Sequence, residues 1–516
     1  MRKLWLKNIA AVAAMFGVCG TAFAQWAIKG DYVLRGSVLV AYQGNDTAVN
    51  IPANLGITDI GEKAFSGNDR ITSVIIPQGV TYIGEEAFAG CIGMTSVTIP
   101  ASVDYISDRA FVIGGISATG HEFRDMGGDY LDSVLTAITV DPRNPRYRSI
   151  DGVLFDKDDK TLIRYPPAKT GGAYTIPTGV YSIKKDAFHG CSLTNITISS
   201  SVMSIDEGAF VEGGWNLTAI TVDPSNTAYR SIDGVLFDKA GKTLIQYPIG
   251  KIGSYTIPSS VTSIGNYAFY GSRLTSVTIP SSVTSIGNYA FYSCKLTSVT
   301  IPSSVAVIGK GAFGRCGLTS ATILPGIAII GNSAFRECWE LKSVTIPTSV
   351  TYIEDHAFSG CSGLMSVTIP SSVTAIRDYA FSNCNMTSIT IPTSVTYIED
   401  HAFSGCDKLT VITVDPRNQN YSSIDGVLFD KAGKTLIRYP PDKIGGAYAI
   451  PAGVVSIGND AFLNCRELTG VTIPQGVSYI GNSAFGYSGL TSVTIPSSVT
   501  SIGNYAFCGS VLTSVT

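Results

Sequence analysis

Charge is scarce in this 516-residue chain: 15 % of it is Asp, Glu, Lys or Arg, as 36 basic and 39 acidic side chains, and there are only 4 histidines. No basic stripe stands out, which argues against nucleic acid or an anionic membrane as a partner. Beyond the N-terminus no apolar run reaches the roughly eighteen residues of a membrane helix, so no transmembrane segment is expected in the mature chain. There is no Cys-x-x-Cys pair and no histidine in register with the cysteines, so no metal site is expected. Asp156, Asp158 and Asp159 lack the glycine and closing glutamate of a calcium loop and read as turn residues. An enzyme would need one place where the pattern breaks to install an acid, a base or a nucleophile, and no such cluster is found. The expectation is a protein without catalysis and without a cofactor.

What the chain has instead is repetition. Ile257 to Thr278 reads IPSSVTSIGNYAFYGSRLTSVT and begins again almost unchanged at Ile279. Fifteen Ala-Phe pairs, from Phe65 to Phe507, mark the copies, and uninterrupted neighbours lie 22 or 23 residues apart. A unit so short buries its apolar face only when neighbours stack on it, so each copy is one coil of a solenoid. In Leu274-Thr-Ser-Val-Thr-Ile279 the apolar residues alternate with hydroxyls, which predicts a short parallel strand with Val277 and Ile279 inside. Pro280 ends it, Ser281-Ser282 turn the corner, and Val283 and Ile286 form a second apolar pair. Asn288 then reads as a cap for about one helical turn that carries Phe291 into the core.

In chain order, residues 1–24 have a basic start (Arg2, Lys3, Lys7), an apolar stretch from Ile9 to Val18 and Ala22-Phe23-Ala24 before Gln25. This reads as a secretory signal peptide and places the protein outside the cell or on its surface. Removing it takes the formal charge from −3 to −6, since three basic residues leave. Residues 25–50 alternate without an Ala-Phe pair and read as a hairpin-like N-terminal cap. Residues 51–516 are the solenoid, with an irregular loop at Val112 to Val134 and three longer units near 138–176, 220–257 and 412–450. In the third, Val427-Leu-Phe-Asp430, Lys431-Ala-Gly433 and Lys434 to Tyr439 predict a β-hairpin. Residues 136–170 carry twelve charged side chains and residues 253–303 only two, so these three β-hairpin insertions read as solvated outgrowths or lateral additions.

The repeated Leu-x-x-Val-x-Ile-Pro-x-x-Val-x-x-Ile-Gly-x-x-Ala-Phe-x-x-Cys pattern resembles the BspA-type leucine-rich repeats of bacterial surface proteins. The unit with Val-Asp-Pro, Ser-Ile-Asp-Gly-Val-Leu-Phe-Asp-Lys and Leu-Ile-Arg-Tyr-Pro resembles that family's longer repeat variant. The resemblance covers nearly the whole mature chain and implies a β-rich leucine-rich repeat solenoid. It also implies adhesion or protein-protein interaction, with an extracellular partner such as a host matrix protein. The asparagine that follows the strand in the general leucine-rich repeat is missing, and Ser282 and its equivalents stand nearest; a flatter solenoid with short helical turns is expected.

Nine cysteines (among them Cys91, Cys294 and Cys465) share the slot three residues after the phenylalanine. They read as a ladder of free buried thiols, because Ser272 and Ser488 fill the same slot without loss of pattern. His356 and His401 sit in identical Tyr-Ile-Glu-Asp-His-Ala-Phe contexts and read as copies of one repeat position. The outward strand residues Ser276, Thr278, Ser298, Thr300, Ser343, Thr345, Ser366 and Thr368 are the candidate binding face. Three meanings are open for it: a soluble surface on a spacer or scaffold, a protein-binding surface, or a grid that recognises a glycan or another ordered lattice.

Overall fold

The computed structural model describes residues 26–107, 109–111, 134–211 and 213–516; the leader and the 112–134 loop expected from sequence lie outside the described residues, apart from Val134. The chain divides into two compact units, 1–240 with 248–250 and 241–247 with 251–516, so the division falls inside the second longer unit. Each unit is a β-solenoid of parallel short strands with almost no helix; the described residues hold one 3-10 turn, Ala53–Leu55.

One coil of the second unit shows how the sequence builds the fold. Ser298–Ile301 is a strand in which Val299 and Ile301 are buried and Ser298 and Thr300 exposed. It pairs in register with Ser320–Ile323 of the next coil, so each residue stacks on its own copy. Pro302 ends the strand because it has no N–H to give the ladder, and its carbonyl accepts from Val305 N at 3.1 Å to close a turn. Val307–Ile308 is the second strand, with Ile308 inward. Equivalent two-residue strands join coil to coil, as in Ser263–Ile264 to Ser285–Ile286 to Val307–Ile308.

The third side corrects the expected helical turn. Ala312 N reaches Gly309 O at 3.2 Å, but Gly311, Phe313 and Arg315 turn their N–H groups to Asn332, Ala334 and Arg336 of the next coil at 3.0, 2.8 and 2.8 Å. Helix cannot propagate because left-handed residues recur four apart and bracket the Ala-Phe pair: Tyr289 has φ 53° and Ser293 58°, Gly311 62° and Arg315 55°. A side chain in that conformation costs on the order of 1 kcal/mol. The bond to the next coil holds it there, so stacking overrides local preference. Asn288 is accordingly no helix cap: its amide N–H donates to Asn266 Oδ1 at 2.7 Å, and its own Oδ1 accepts from Lys310 N at 2.8 Å.

Down the middle runs a column of rings. Phe269, Phe291, Phe313, Phe335, Phe358 and Phe381 are all fully buried. Their centroids are 4.6, 5.1, 5.4, 5.3 and 5.4 Å apart in turn, with planes within 11°. In the first unit Phe65, Phe88 and Phe111 stack likewise at 5.2 and 5.5 Å. Burying each ring stabilises a coil by about 1.5–3 kcal/mol, which none of these coils secures alone.

The longer units are built into the solenoid instead of projecting from it. In the first, Tyr147–Ile150, Val153–Asp156 and Thr161–Arg164 form an antiparallel meander whose last strand pairs in parallel with Ser182–Ile183. Tyr421–Ile424, Val427–Asp430, Thr435–Arg438 and Ser456–Ile457 repeat this in the third. Val427, Leu428 and Phe429 are fully buried, as are Leu154 and Phe155. The expectation of solvated outgrowths is therefore corrected: most of the charges sit at the turns, Arg164 and Arg438 are buried at the ends of strands, and the middle strand is apolar on both faces. Its first turn, Asp151-Gly152 or Asp425-Gly426, has φ 49° and 76°, or 49° and 75°, the two positive φ values of a tight hairpin.

Candidate interaction surface

All eight predicted surface residues are exposed. Ser298 and Ser343 flank Ser320, and Thr300 and Thr345 flank Thr322, in one parallel sheet of Ser298–Ile301, Ser320–Ile323 and Ser343–Thr345. Ser276 and Thr278 belong to a separate pair, in register with Ser254 and Thr256. Ser366 and Thr368 lie outside any strand, which corrects their assignment as strand positions. The hydroxyl face is thus a set of short in-register grids and not one continuous lattice.

A row of inward-facing polar groups holds these grids in place, and part of it escaped the sequence reading. Ser282, Ser304, Ser349, Ser372 and Ser394 each donate to the carbonyl of a valine or isoleucine one coil back, at 2.6–2.7 Å. Serine does here what a missing turn asparagine would do, satisfying a turn carbonyl that parallel pairing leaves open. Asparagines stack elsewhere: Asn459 Oδ1 accepts from Asn482 N, and Asn482 Oδ1 from Asn504 N, both at 2.8 Å. The signal was the recurrent Gly-Asn pair, which admits a cap reading equally well.

The ten described cysteines are free thiols, nine of them buried and Cys508 exposed. Cys294, Cys316, Cys338, Cys361, Cys384 and Cys406 each donate S–H to the phenylalanine carbonyl one coil back, at 2.8–3.2 Å. Burial pushes the Cys338, Cys406 and Cys465 thiols up to about 12, together with Tyr165, Tyr247 and Tyr439. The folded chain therefore holds protons that the unfolded chain releases above about pH 8.5, the ordinary thiol value. Stability should be complete below that pH and fall as pH rises toward 12. Urea midpoints at pH 7, 9 and 10.5 check this, and a midpoint that stays flat or rises contradicts it. At pH 8 in the absence of urea, Ellman's reagent should react rapidly with Cys508 alone among these ten.

His356 and His401 sandwich Tyr379, with centroids 4.9 and 4.7 Å apart and planes within 3°. His401 Nδ1 lies 2.9 Å from Asp378 Oδ1 and its Nε2 3.5 Å from Asp460 Oδ2. Burial lowers the pKa of His356. Among the described residues no group of His, Cys, Asp or Glu is arranged to hold a metal ion, and no helix is long and apolar enough to cross a membrane.

Two short strands per coil, an inward Leu/Val/Ile/Phe pattern and parallel register define a leucine-rich repeat solenoid. The match to the BspA type leucine rich repeat region, over residues 41–116, 172–244, 246–329, 328–443 and 447–516, covers most of the chain, which belongs to that family. Among solved structures, a leucine-rich repeat protein from Eubacterium ventriosum is 26% identical, with TM-score 0.49, over 74% of this chain and 94% of that one. One from Bacteroides ovatus is 25% identical, with TM-score 0.41, over 72% and 88%. A leucine rich cell surface protein from Faecalibacterium prausnitzii is 26% identical, with TM-score 0.34, over 76% and 94%. Among curated proteins none matches the chain.

Proposed function

We propose that this chain is an exported, surface-exposed binding protein that engages an extracellular protein, a host matrix protein being the class that fits, without catalysing a reaction on it. The observation that carries the reading is the exposed Ser/Thr grid, Ser298 and Thr300 through Ser343 and Thr345, set on strands whose inward Val299, Ile301, Ala321 and Ile323 are buried and whose Val344 is half-buried. A rigid backbone presents those hydroxyls at the strand spacing, roughly 4.8 Å per coil, so a partner meets many equivalent weak donors and acceptors with little ordering cost. Membership of a surface-associated family and the leader-like residues 1–24 support export. Exported protein should begin at Gln25.

Equivalent sites add by multivalency, so affinity should fall by degrees as plain coils are removed. Deleting the coil 301–322 and then 301–345 from the mature protein, and measuring binding to immobilised matrix protein, should give two successive losses. A single abrupt loss on altering the charged turns near Asp156, Asp238 or Asp430 moves the site to the longer units. No matrix binding by the parent protein leaves a scaffold or glycan-recognising role.

A further inference from the structure

At every ordinary joint among the described residues at least one of a coil's two strands continues into the next, even where the sheet on the other face stops, as at Leu274–Thr278, Val307–Ile308 and Ser343–Thr345, but at the longer units neither does. The first-face strands Ala137–Val140 and Val411–Val414 pair backward with Ser96–Ile99 and Ser388–Ile391 and end their sheets. The second-face strands Tyr105–Ile106 and Tyr397–Ile398 end theirs as well. New sheets then open on the meander strands.

Side chains close the exposed edges. The hydroxyl of Tyr147 accepts from Ile106 N at 3.1 Å, and that of Tyr421 from Ile398 N at 2.8 Å. Ser149 and Ser423 accept from Val140 N and Val414 N, both at 3.1 Å. Asn144, Asn226 and Asn418 are fully buried. Asn144 Nδ2 donates to the carbonyls of Pro100 and Val103, both at 2.9 Å, and Asn418 Nδ2 to those of Pro392 and Val395 at 2.7 and 2.9 Å. Asn226 does the same to Ser199 and Val202, both at 2.8 Å. These side chains, together with the Gly152 and Gly426 carbonyls that accept from Ile138 N and Ile412 N, both at 2.9 Å, satisfy backbone groups that would otherwise template another strand, which is how an edge is ended.

The apolar core divides at the same place. The first core runs from Leu34 to Leu154 and includes Leu154 but neither Val153 nor Phe155. The last begins at Val427 and Phe429, without Leu428, and runs to Ala506. Val153, Leu154 and Phe155 occupy the positions of Val427, Leu428 and Phe429, so the middle strand is a wall: its leucine faces the coils before it, its valine and phenylalanine the coils after.

The meander that opens the described stack has the same plan. Trp26–Lys29, Tyr32–Arg35 and Val38–Tyr42 run antiparallel, and the last pairs in parallel with Asp59–Ile60. Its register shifts between Val33 and Leu34, as the others shift between Leu154 and Phe155 and between Leu428 and Phe429. Tyr42 then stacks on Phe65 at 5.5 Å, as Tyr439 does on Phe462 at 5.1 Å. We infer that the longer units are internal caps, each closing the coils before it and starting a new stack, so that the solenoid opens in separate blocks and not coil by coil.

Native-state hydrogen exchange of the full-length mature protein in rising urea tests this. The parent should lose protection over 427–506 at one urea concentration and over 285–398 at another. Phe485→Ala should lower protection at least a hundredfold over 427–506 and leave 285–398 within twofold of the parent, and Phe335→Ala should do the reverse. If Phe485→Ala unfolds its whole block, the loss should still stop at the Tyr421 cap. Protection that decays coil by coil across that cap in either variant, or one shared transition in the parent, overturns the inference.

Discussion

Replacing Phe313 by Ala should destabilise the second unit by about 3–5 kcal/mol, the loss found when a buried aromatic ring leaves a cavity. Phe313 is fully buried between Phe291 at 5.1 Å and Phe335 at 5.4 Å, so its removal opens a gap inside a continuous column. Neighbouring coils cannot close that gap, because the strands on two sides and the cross-coil bonds on the third fix the coil spacing. Phe313→Leu keeps much of the volume and should cost under about 1.5 kcal/mol. Urea unfolding followed by circular dichroism reads both. A Phe313→Ala midpoint within error of the parent would mean that the column fills space without holding the coils together.

A second large effect is expected at Arg438, which is only 3% exposed. Its Nη1 donates to the Asp460 carbonyl and its Nη2 to the Leu463 carbonyl at 3.5 Å, so it satisfies acceptors of the following coil's left-handed turn. It also offsets part of the charge on the buried Asp460 carboxyl, whose pKa burial raises. Arg438→Ala should cost about 3 kcal/mol, since buried turn carbonyls lose their donor and the Asp460 carboxyl loses part of its compensating charge, with His401 Nε2 at 3.5 Å still in place. Repetition supplies the tolerant variant: the same position holds Arg164 in the first longer unit and Gln246 in the second, both buried. Arg438→Gln should therefore cost less than half as much, by the same urea measurement. Equal losses for the two substitutions would contradict the view that a donor, and not a charge, is what the site needs.

The strands, the phenylalanine column and the free-thiol ladder were legible in the sequence because each is a property of one repeat position. Val299, Phe313 and Cys316 recur at fixed spacing with fixed chemistry, and spacing alone places them inside. The third side was not legible. Gly-Asn-Tyr-Ala-Phe carries the marks of a helix start, and only the stacked neighbour, taking the N–H of Phe291 at 2.7 Å through Ala312 O, selects the turn conformation instead. The longer units misled for a different reason: charge density reports the exposed turns, whereas Phe155 and Phe429 decide where the strand lies. Asp425-Gly426 was the available signal for the first of their two hairpin turns. Of the hydroxyl face, exposure was legible and continuity was not, since the breaks at Ser276 and Ser366 arise from pairing between coils.

The central claim is that the hydroxyl grid is the binding face. Its most direct measurement is the affinity of the mature protein for immobilised extracellular matrix protein, before and after Thr278, Thr300, Thr345 and Thr368 are all changed to Lys. These four are exposed while Val299 and Ile301 beside them are buried, so the fold should survive the change, as circular dichroism can verify. Binding should weaken at least tenfold, or about 1.4 kcal/mol. Unchanged affinity in a folded variant would contradict the claim.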